Sequence, residues 1–312
     1  MEPVIKVQGL SKGFKALKAV DGVTFEVYPG EILCVLGPNG AGKSTTINLL
    51  TTAMRPDAGA ICFKGAPLGR DTAAYRQALG IVPQDLALYE ALSAERNIAF
   101  FASLYGLRGK ELKAGVDWAL EFAGLTDRRR DRVKAFSGGM KRRLNIACAI
   151  AHRPEVIVLD EPTVGIDPQS RSHILSSIRA LADGGATILY TTHYMEEVEE
   201  ISTRIIIMDH GKIIAEGTKE SLKEKLADDR LYLIQVDGAE GANCDALYRV
   251  EGVREVVLSG NLLKVSIVKG IENLDRIIAQ LVSRGVRIQN IASETASLEM
   301  VFLNLTGRTL RD

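Results

Sequence analysis

Nine consecutive residues, Gly37-Pro38-Asn39-Gly40-Ala41-Gly42-Lys43-Ser44-Thr45, have the types and spacing to hold a phosphate chain. Glycines let a backbone curl until its N–H groups face an anion, and a helix start adds positive potential. Lys43 can reach the β- and γ-phosphates, and the Ser44 hydroxyl can hold Mg²⁺. Much further along, Val156-Ile157-Val158-Leu159 runs straight into Asp160 and Glu161. Asp160 can hold Mg²⁺ directly or through its waters, as an aspartate after such a strand does. Glu161 could take the proton of an attacking water. A single acid there would read as a cap or a surface charge; two at the tip of an apolar run read otherwise. Three weaker candidates complete the set. Gln84 has an amide able to ligate Mg²⁺ or orient a water, or is a plain loop residue. His193 could hydrogen-bond a γ-phosphate, or be structural. Ser137-Gly138-Gly139 could present N–H groups to a second anion, or simply cap a helix.

The flanking sequence supplies elements to place these residues. Residues 32–36 are an unbroken apolar run, as expected of a parallel strand buried on both faces. Residues 44–54 contain no Gly or Pro and read as a helix with Ile47, Leu50 and Met54 on one face. Strand, glycine loop and helix is the context a phosphate loop requires. Residues 4–8 and 23–27 alternate as half-buried strands. Between them Phe14, in a Gly/Lys-rich stretch, could stack on an adenine ring or pack beneath the loop. Residues 80–82 form another short apolar run ahead of Gln84. Residues 91–125 are helical in character, punctuated by Gly106 and Gly109. A helix from Ser137 to about Arg153 buries Leu144, Ala147, Cys148 and Ala151. Residues 186–192 read as a strand, 187–190 being β-prone, and lead to His193, so the sheet edge that carries Asp160 and Glu161 also carries this histidine, the edge at which open α/β sheets bind ligands. Glu196, Glu197, Glu199 and Glu200 read as an acidic helix face. The run at 128–132 reads as a solvated charged face.

The 312 residues suggest roughly two domains, 1–227 and 228–312, with 46% hydrophobic and 25% charged residues, an ordinary globular composition. Lys+Arg and Asp+Glu are both 39, so the formal net charge is zero and no nucleic-acid partner is expected. No apolar run approaches the roughly 18 residues of a membrane span, and no signal-peptide core stands near Met1. The 4 cysteines, Cys34, Cys62, Cys148 and Cys244, lack metal or redox spacing and read as buried thiols in a reducing compartment. Beyond 228 the pattern changes: strand 231–236, helix 243–250, a hairpin across Ser259-Gly260-Asn261, a helix with Leu274, Ile277, Ile278, Leu281 and Val282 in one stripe, strand 286–291 and helix 297–305. The order βαββαβ suggests a small ferredoxin-like α+β domain.

Together these residues resemble the ATP-binding cassette (ABC) subunits of membrane transporters over about the first 220 positions. The resemblance implies an α/β phosphate-loop ATPase domain, a mixed sheet with a helical signature subdomain. It makes Gln84 the Q-loop, Ser137-Gly138-Gly139 the signature motif, Asp160 and Glu161 the Walker B pair, Asp167 the D-loop aspartate and His193 the switch histidine. Phe14 falls where an adenine-stacking aromatic is expected. Two departures from the family pattern are Met140, where many members have Gln, and Val164 and Ile166, where Ser and Leu are usual. The forms Ser-Gly-Gly-Met-Lys-Arg-Arg-Leu at 137–144 and Thr306-Gly307-Arg308 look like the daunorubicin- and linearmycin-resistance branch of bacterial exporters. What this implies is ATP and Mg²⁺ as ligands, a dimer closing head to tail over two ATP molecules, and a separate membrane permease that holds the chain on the cytoplasmic face. Cargo of the sodium, polysaccharide or lipid kind, or a soluble cassette acting on ribosomes or DNA, are the alternatives.

Overall fold

The computed structural model describes residues 2–15, 17–226, 229–237, 244–268, 270–294 and 298–306. The positions expected at a boundary (228), a helix start (243), Ser297, Gly307 and Arg308 lie outside them. The chain opens on two long strands, β1 (Ile5–Phe14) and β2 (Leu17–Val27), paired antiparallel with Phe14 opposite Leu17. Both outrun the sequence expectation, because register shifts between Val7 and Gly13 absorb the glycines that break the alternation. With β4 (Ala58–Phe63) and the two-residue β5 (Ala66–Pro67) they make an antiparallel sheet of order β2-β1-β4-β5.

The second sheet carries the chemistry. Its strands are β3 (Ile32–Leu36), β6 (Leu79–Val82), β7 (Val156–Asp160), β8 (Thr187–Thr192), β9 (Arg204–Asp209) and β10 (Lys212–Gly217), in the order β10-β9-β3-β8-β7-β6. All neighbours are parallel except the β9–β10 hairpin. Every residue of β3, β7 and β8 is buried, which is why these strands read as continuous apolar or threonine-rich runs rather than alternating ones. Helix α1 (Lys43–Leu50) leaves β3 through the glycine loop and stops earlier than expected, where Thr52 turns to φ 58°. One core joins the two sheets, with Val7, Val23 and Phe25 packed beside Leu33, Val35, Leu50 and Val158.

Short helix α2 (Ala73–Gln77) precedes β6, and a helical arm stands between β6 and β7: α3 (Ala94–Leu104), α4 (Gly109–Phe122) and α5 (Gly138–Ile150). Ile98, Ala102, Val116, Leu120, Leu144 and Ala147 form its core. Two more helices, α6 (Pro168–Asp183) and α7 (Met195–Ile201), follow β7 and β8.

The chain divides into two compact units, parting between Thr218 and Lys219. The composition change near 228 had put helix α8 (Lys219–Leu226) with the first part. It goes with the second because it packs on the last helix, α11 (Leu298–Thr306), with Leu222, Leu298, Val301 and Phe302 buried. The second unit holds β11 (Asp229–Asp237), α9 (Cys244–Leu247), β12 (Val253–Ser259), β13 (Leu262–Val268), α10 (Leu274–Val282) and β14 (Arg287–Glu294). Its sheet is antiparallel, in the order β12-β13-β11-β14, the ferredoxin-like order that the βαββαβ pattern suggests. Ile277 and Leu281 of the α10 stripe are buried, while Val282 is 59% exposed.

Candidate functional site

Strand register brings the candidate residues to one edge. Leu36 pairs with Thr192, Asp160 with Thr191 and Val82 with Leu159. The segments that follow β3, β6, β7 and β8 therefore emerge side by side at the carboxyl end of the sheet, the ligand-binding edge of such folds.

The glycine loop is shaped by contacts that no side chain could share. A Cβ at Gly37 would collide with the Met208 carbonyl, and one at Gly42 with the Ala19 carbonyl. Gly40 and Gly42 have φ of 81° and 99°, which glycine adopts without strain. Gly42 caps α1 with no side-chain hydrogen bond of its own, so the first amides of the helix have no capping side chain. Pro38 and Ala41 are buried and close the turn through Ala41 N–H donating to the Pro38 carbonyl at 3.2 Å. Lys43 is 4% exposed; its Nζ donates to the Gly37 and Pro38 carbonyls at 2.8 and 3.1 Å and lies 3.0 Å from Glu161 Oε1.

The acids stand directly opposite. Asp160 Oδ1 accepts from Ser44 Oγ at 3.2 Å and from Thr191 Oγ1 at 2.6 Å. The Glu161 N–H donates to the Thr191 hydroxyl and carbonyl oxygens at 3.0 and 3.2 Å. This holds Glu161 at φ 45°, a left-handed conformation uncommon for a residue with a side chain. His193 Nδ1 comes within 3.3 Å of Glu161 Oε2, yet it is not aligned for a hydrogen bond and has no partner among the described residues. A cavity of about 340 Å³ opens here, lined by Phe14, Leu17, Ala19, Asn39, Gly40, Gly42, Lys43, Ser44, Thr45, Gln84 and Glu161. Phe14 is 44% exposed at this cavity, so the reading that buries it beneath the loop does not hold. A larger cavity, about 430 Å³ beside Trp118 and Arg153, lies at the starts of β7 and β8, away from these groups.

Ser137, Gly138 and Gly139 do not line that cavity. Ser137 caps α5, its Oγ accepting from the Met140 N–H at 3.3 Å, and Ser137 and Gly138 are exposed. Gly139 is pressed against α6, where any Cβ would strike the Ser170 side chain. Asp167 caps α6 by accepting from the Ser170 N–H at 2.9 Å, and this bond, with help from the Ser170 hydroxyl, holds its carboxyl below the usual carboxylate range. The 137–139 and 167–170 segments thus pack against one another.

Several contributors had no sequence signal of their own. Arg142 on α5 donates to the carbonyls of Pro83 and Gln84 at 3.0 and 2.7 Å, and Asn145 Oδ1 accepts from the Ala87 N–H at 3.2 Å. These contacts fix the segment that carries Gln84, and burial lowers the Arg142 pKa. Thr191 was readable only as strand. Glu197 was read as part of an acidic surface, but it is 1% exposed and accepts from Thr163, Tyr190 and Thr192. Which face of α7 lies inward could not be seen from four acids within five residues. Arg129 likewise is more than solvated charge, pairing with Glu95 and Asp117.

Asp160 and the Ser44 hydroxyl bonded to it offer oxygens, and Gln84 lines the same cavity as Ser44, a donor set that suits the hard Mg²⁺ ion. That oxygen corner beside a buried lysine and a curled glycine loop is chemistry for a nucleoside triphosphate. A parallel sheet with this edge and a three-helix arm places the molecule among the phosphate-loop ATPases. Residues 20–164 match the ABC transporter family. The chain is similar to the linearmycin resistance ATP-binding protein LnrL of Bacillus subtilis (strain 168), 41% identical over 99% of this chain and 100% of that protein. It is also similar to the daunorubicin resistance ATP-binding protein DrrA3 of Streptomyces coeruleorubidus, at 37% over 98% and 96%. Among solved structures it resembles the dimeric, post-hydrolysis state of an ATP-binding cassette bound to ADP and Pi, with TM-score 0.63 and 25% identity over 69% of this chain and 98% of that one. The chain belongs to the ABC transporter family, as an ATP-binding subunit that hydrolyses ATP.

Proposed function

We propose that this chain energises export of a drug-like or lipophilic compound through a separate membrane permease. The reading rests chiefly on one observation: Glu161 stands between Lys43 Nζ, 3.0 Å from one carboxylate oxygen, and His193 Nδ1, 3.3 Å from the other, in the cavity of the glycine loop. Lys43 and the loop amides hold the phosphates, and Phe14 stacks on the adenine. Ser44, Gln84 and Asp160 hold Mg²⁺, which would neutralise charge on the phosphate oxygens. Glu161 orients and deprotonates the attacking water, and His193 hydrogen-bonds the γ-phosphate. Catalysis is then mostly positioning and charge stabilisation.

The helix start at 137–139, exposed at Ser137 and Gly138, grips the γ-phosphate of ATP held by a second copy of this chain, with Asp167 at the join, so the working unit is a homodimer. The permease docks near residues 84–92, where Leu86 and Tyr89 are exposed and Tyr89 meets Phe100 edge-on and stacks with Phe101. It holds the chain at the cytoplasmic face; among the described residues no helix is long and apolar enough to cross a membrane itself. The second unit is an accessory domain. The names of the resistance relatives support a drug-like cargo. Glu161→Gln should still bind ATP and dimerise while steady-state phosphate release falls at least about a hundredfold, the scale of losing a general base. Near-normal phosphate release would remove Glu161 from the mechanism, and co-purification with ribosomes rather than a permease would favour the soluble alternative.

A further inference from the structure

The buried carboxylate of Glu197 is used by none of the steps above. Its Oε1 accepts from Thr163 Oγ1 at 2.5 Å, and its Oε2 accepts from Tyr190 Oη at 2.8 Å and Thr192 Oγ1 at 2.7 Å. Arg171 Nε lies 3.5 Å from Oε1, without a hydrogen bond. Burying a carboxylate is costly unless its oxygens are satisfied. Val198 and Ile201 already anchor α7 to the core, so the helix does not need an acid to stay in place. The hydroxyl partners come from two functional segments. Thr163 lies between Glu161 and Asp167, and its turn is closed by Val164 N–H donating to the Glu161 carbonyl at 3.3 Å and Ile166 N–H donating to the Thr163 carbonyl at 3.2 Å. Thr192 precedes His193, and its Oγ1 also accepts from the Tyr194 N–H at 2.9 Å, shaping the turn that presents the histidine. Burial, then the Glu197 charge, keep the Tyr190 phenol well above its ordinary range, so it remains a donor.

We propose that Glu197 is a positioning residue for ATP hydrolysis, a buried clasp that fixes the 162–167 segment to the strand end bearing His193. It acts through Glu161 and His193, and so rests on the roles assigned to them above. A geometry held this way affects the chemical step more than ground-state ATP binding, because the phosphate loop lies outside the clasp.

The test measures kcat, KM, equilibrium binding of a fluorescent ATP analogue and thermal unfolding for the full-length protein. Glu197→Gln keeps the volume and one acceptor; Thr163→Val and Thr192→Val each remove one hydroxyl at nearly constant size. Each should lower kcat by about tenfold with KM and analogue affinity within about twofold, a split that a general loss of structure would not give. Thr163→Val/Thr192→Val should fall no lower than the weaker single variant, because either cut alone opens the clasp. Additive losses, or kcat within about twofold of the unaltered protein in Glu197→Gln and Thr163→Val, would overturn the proposal. Should Glu197→Gln fail to fold, the two threonine variants decide. Glu161→Gln, run in parallel, separates the failures: full turnover there sinks the reading of the site, whereas near-normal Glu197→Gln beside an inactive Glu161→Gln sinks the clasp alone.

Discussion

Two glycine-led helix starts in this chain are finished in opposite ways. At α1 the cap is Gly42, with no side chain to satisfy the first amides, and Lys43 is buried against the loop and Glu161. At α5 the cap is Ser137, which already accepts from an N–H of its own helix, and Gly138 is open to solvent. The first start is incomplete without an anion and has a cavity around it. The second is complete as a piece of local structure and does not line that cavity. A helix that caps itself can stand on a surface until something is brought to it, whereas a helix without a cap needs its ligand close by in the same chain. The difference fits a nucleotide gripped in cis at Gly42 and approached in trans at Gly138.

The comparison breaks most decisively at Ser137. Ser137→Asp retains a capping oxygen but adds negative charge where a partner's phosphate would arrive. Its melting temperature should stay within about 2 °C of the unaltered protein, while ATPase turnover falls at least about tenfold through charge repulsion. Ser137→Ala should instead lose about 1 kcal/mol of cap stability. Full turnover in the aspartate variant would reduce the α5 start to a cap and nothing more.

Phe14 sharpens the contrast from the other side, since this exposed aromatic lines the cavity at the α1 start. Phe14→Ala should raise the KM for ATP about fivefold at unchanged kcat, the loss of roughly 1 kcal/mol of ring stacking. An unchanged KM would leave the adenine without its proposed contact.

The smallest effect lies at the far end of α5. His152 follows the helix, with Nε2 3.1 Å from the Leu79 carbonyl and its ring stacked on Tyr105 at 3.6 Å. Burial lowers its pKa from 6.5 to about 4. Between those values the unfolded chain binds a proton that the folded chain does not, so stability falls as pH drops from 6.5 towards 4. In His152→Gln the fall in melting temperature over that window should be shallower, with turnover at neutral pH unaltered. An equally steep fall would place the acid sensitivity elsewhere.

Sequence made the first helix start plain because its requirements sit in nine adjacent residues flanked by the right elements. The second was ambiguous for a physical reason: a cap and an anion site use the same residues, and only the position of the cavity separates them. Strands β1 and β2 were read short because Gly9 and Gly13 in the first and Gly22 in the second interrupt their alternation, which the fold tolerates through register shifts. The fate of Phe14 depended on what covers it, which no spacing records. Glu197 was illegible for a related reason, since its hydroxyl partners at 163, 190 and 192 are gathered only when β7 and β8 lie side by side. Helix α8 was assigned by composition, whereas its buried Leu222 faces residues some eighty positions downstream.

The backbone at Glu161 winds against its natural hand, at φ 45°. For a residue with a Cβ that choice costs roughly 1–2 kcal/mol, and glycine would escape it. The chain tolerates this loss at the position proposed to activate water, held there by two bonds from its amide to Thr191. Its thermal ceiling is therefore set a little below what the same architecture could reach with glycine at that one peptide unit.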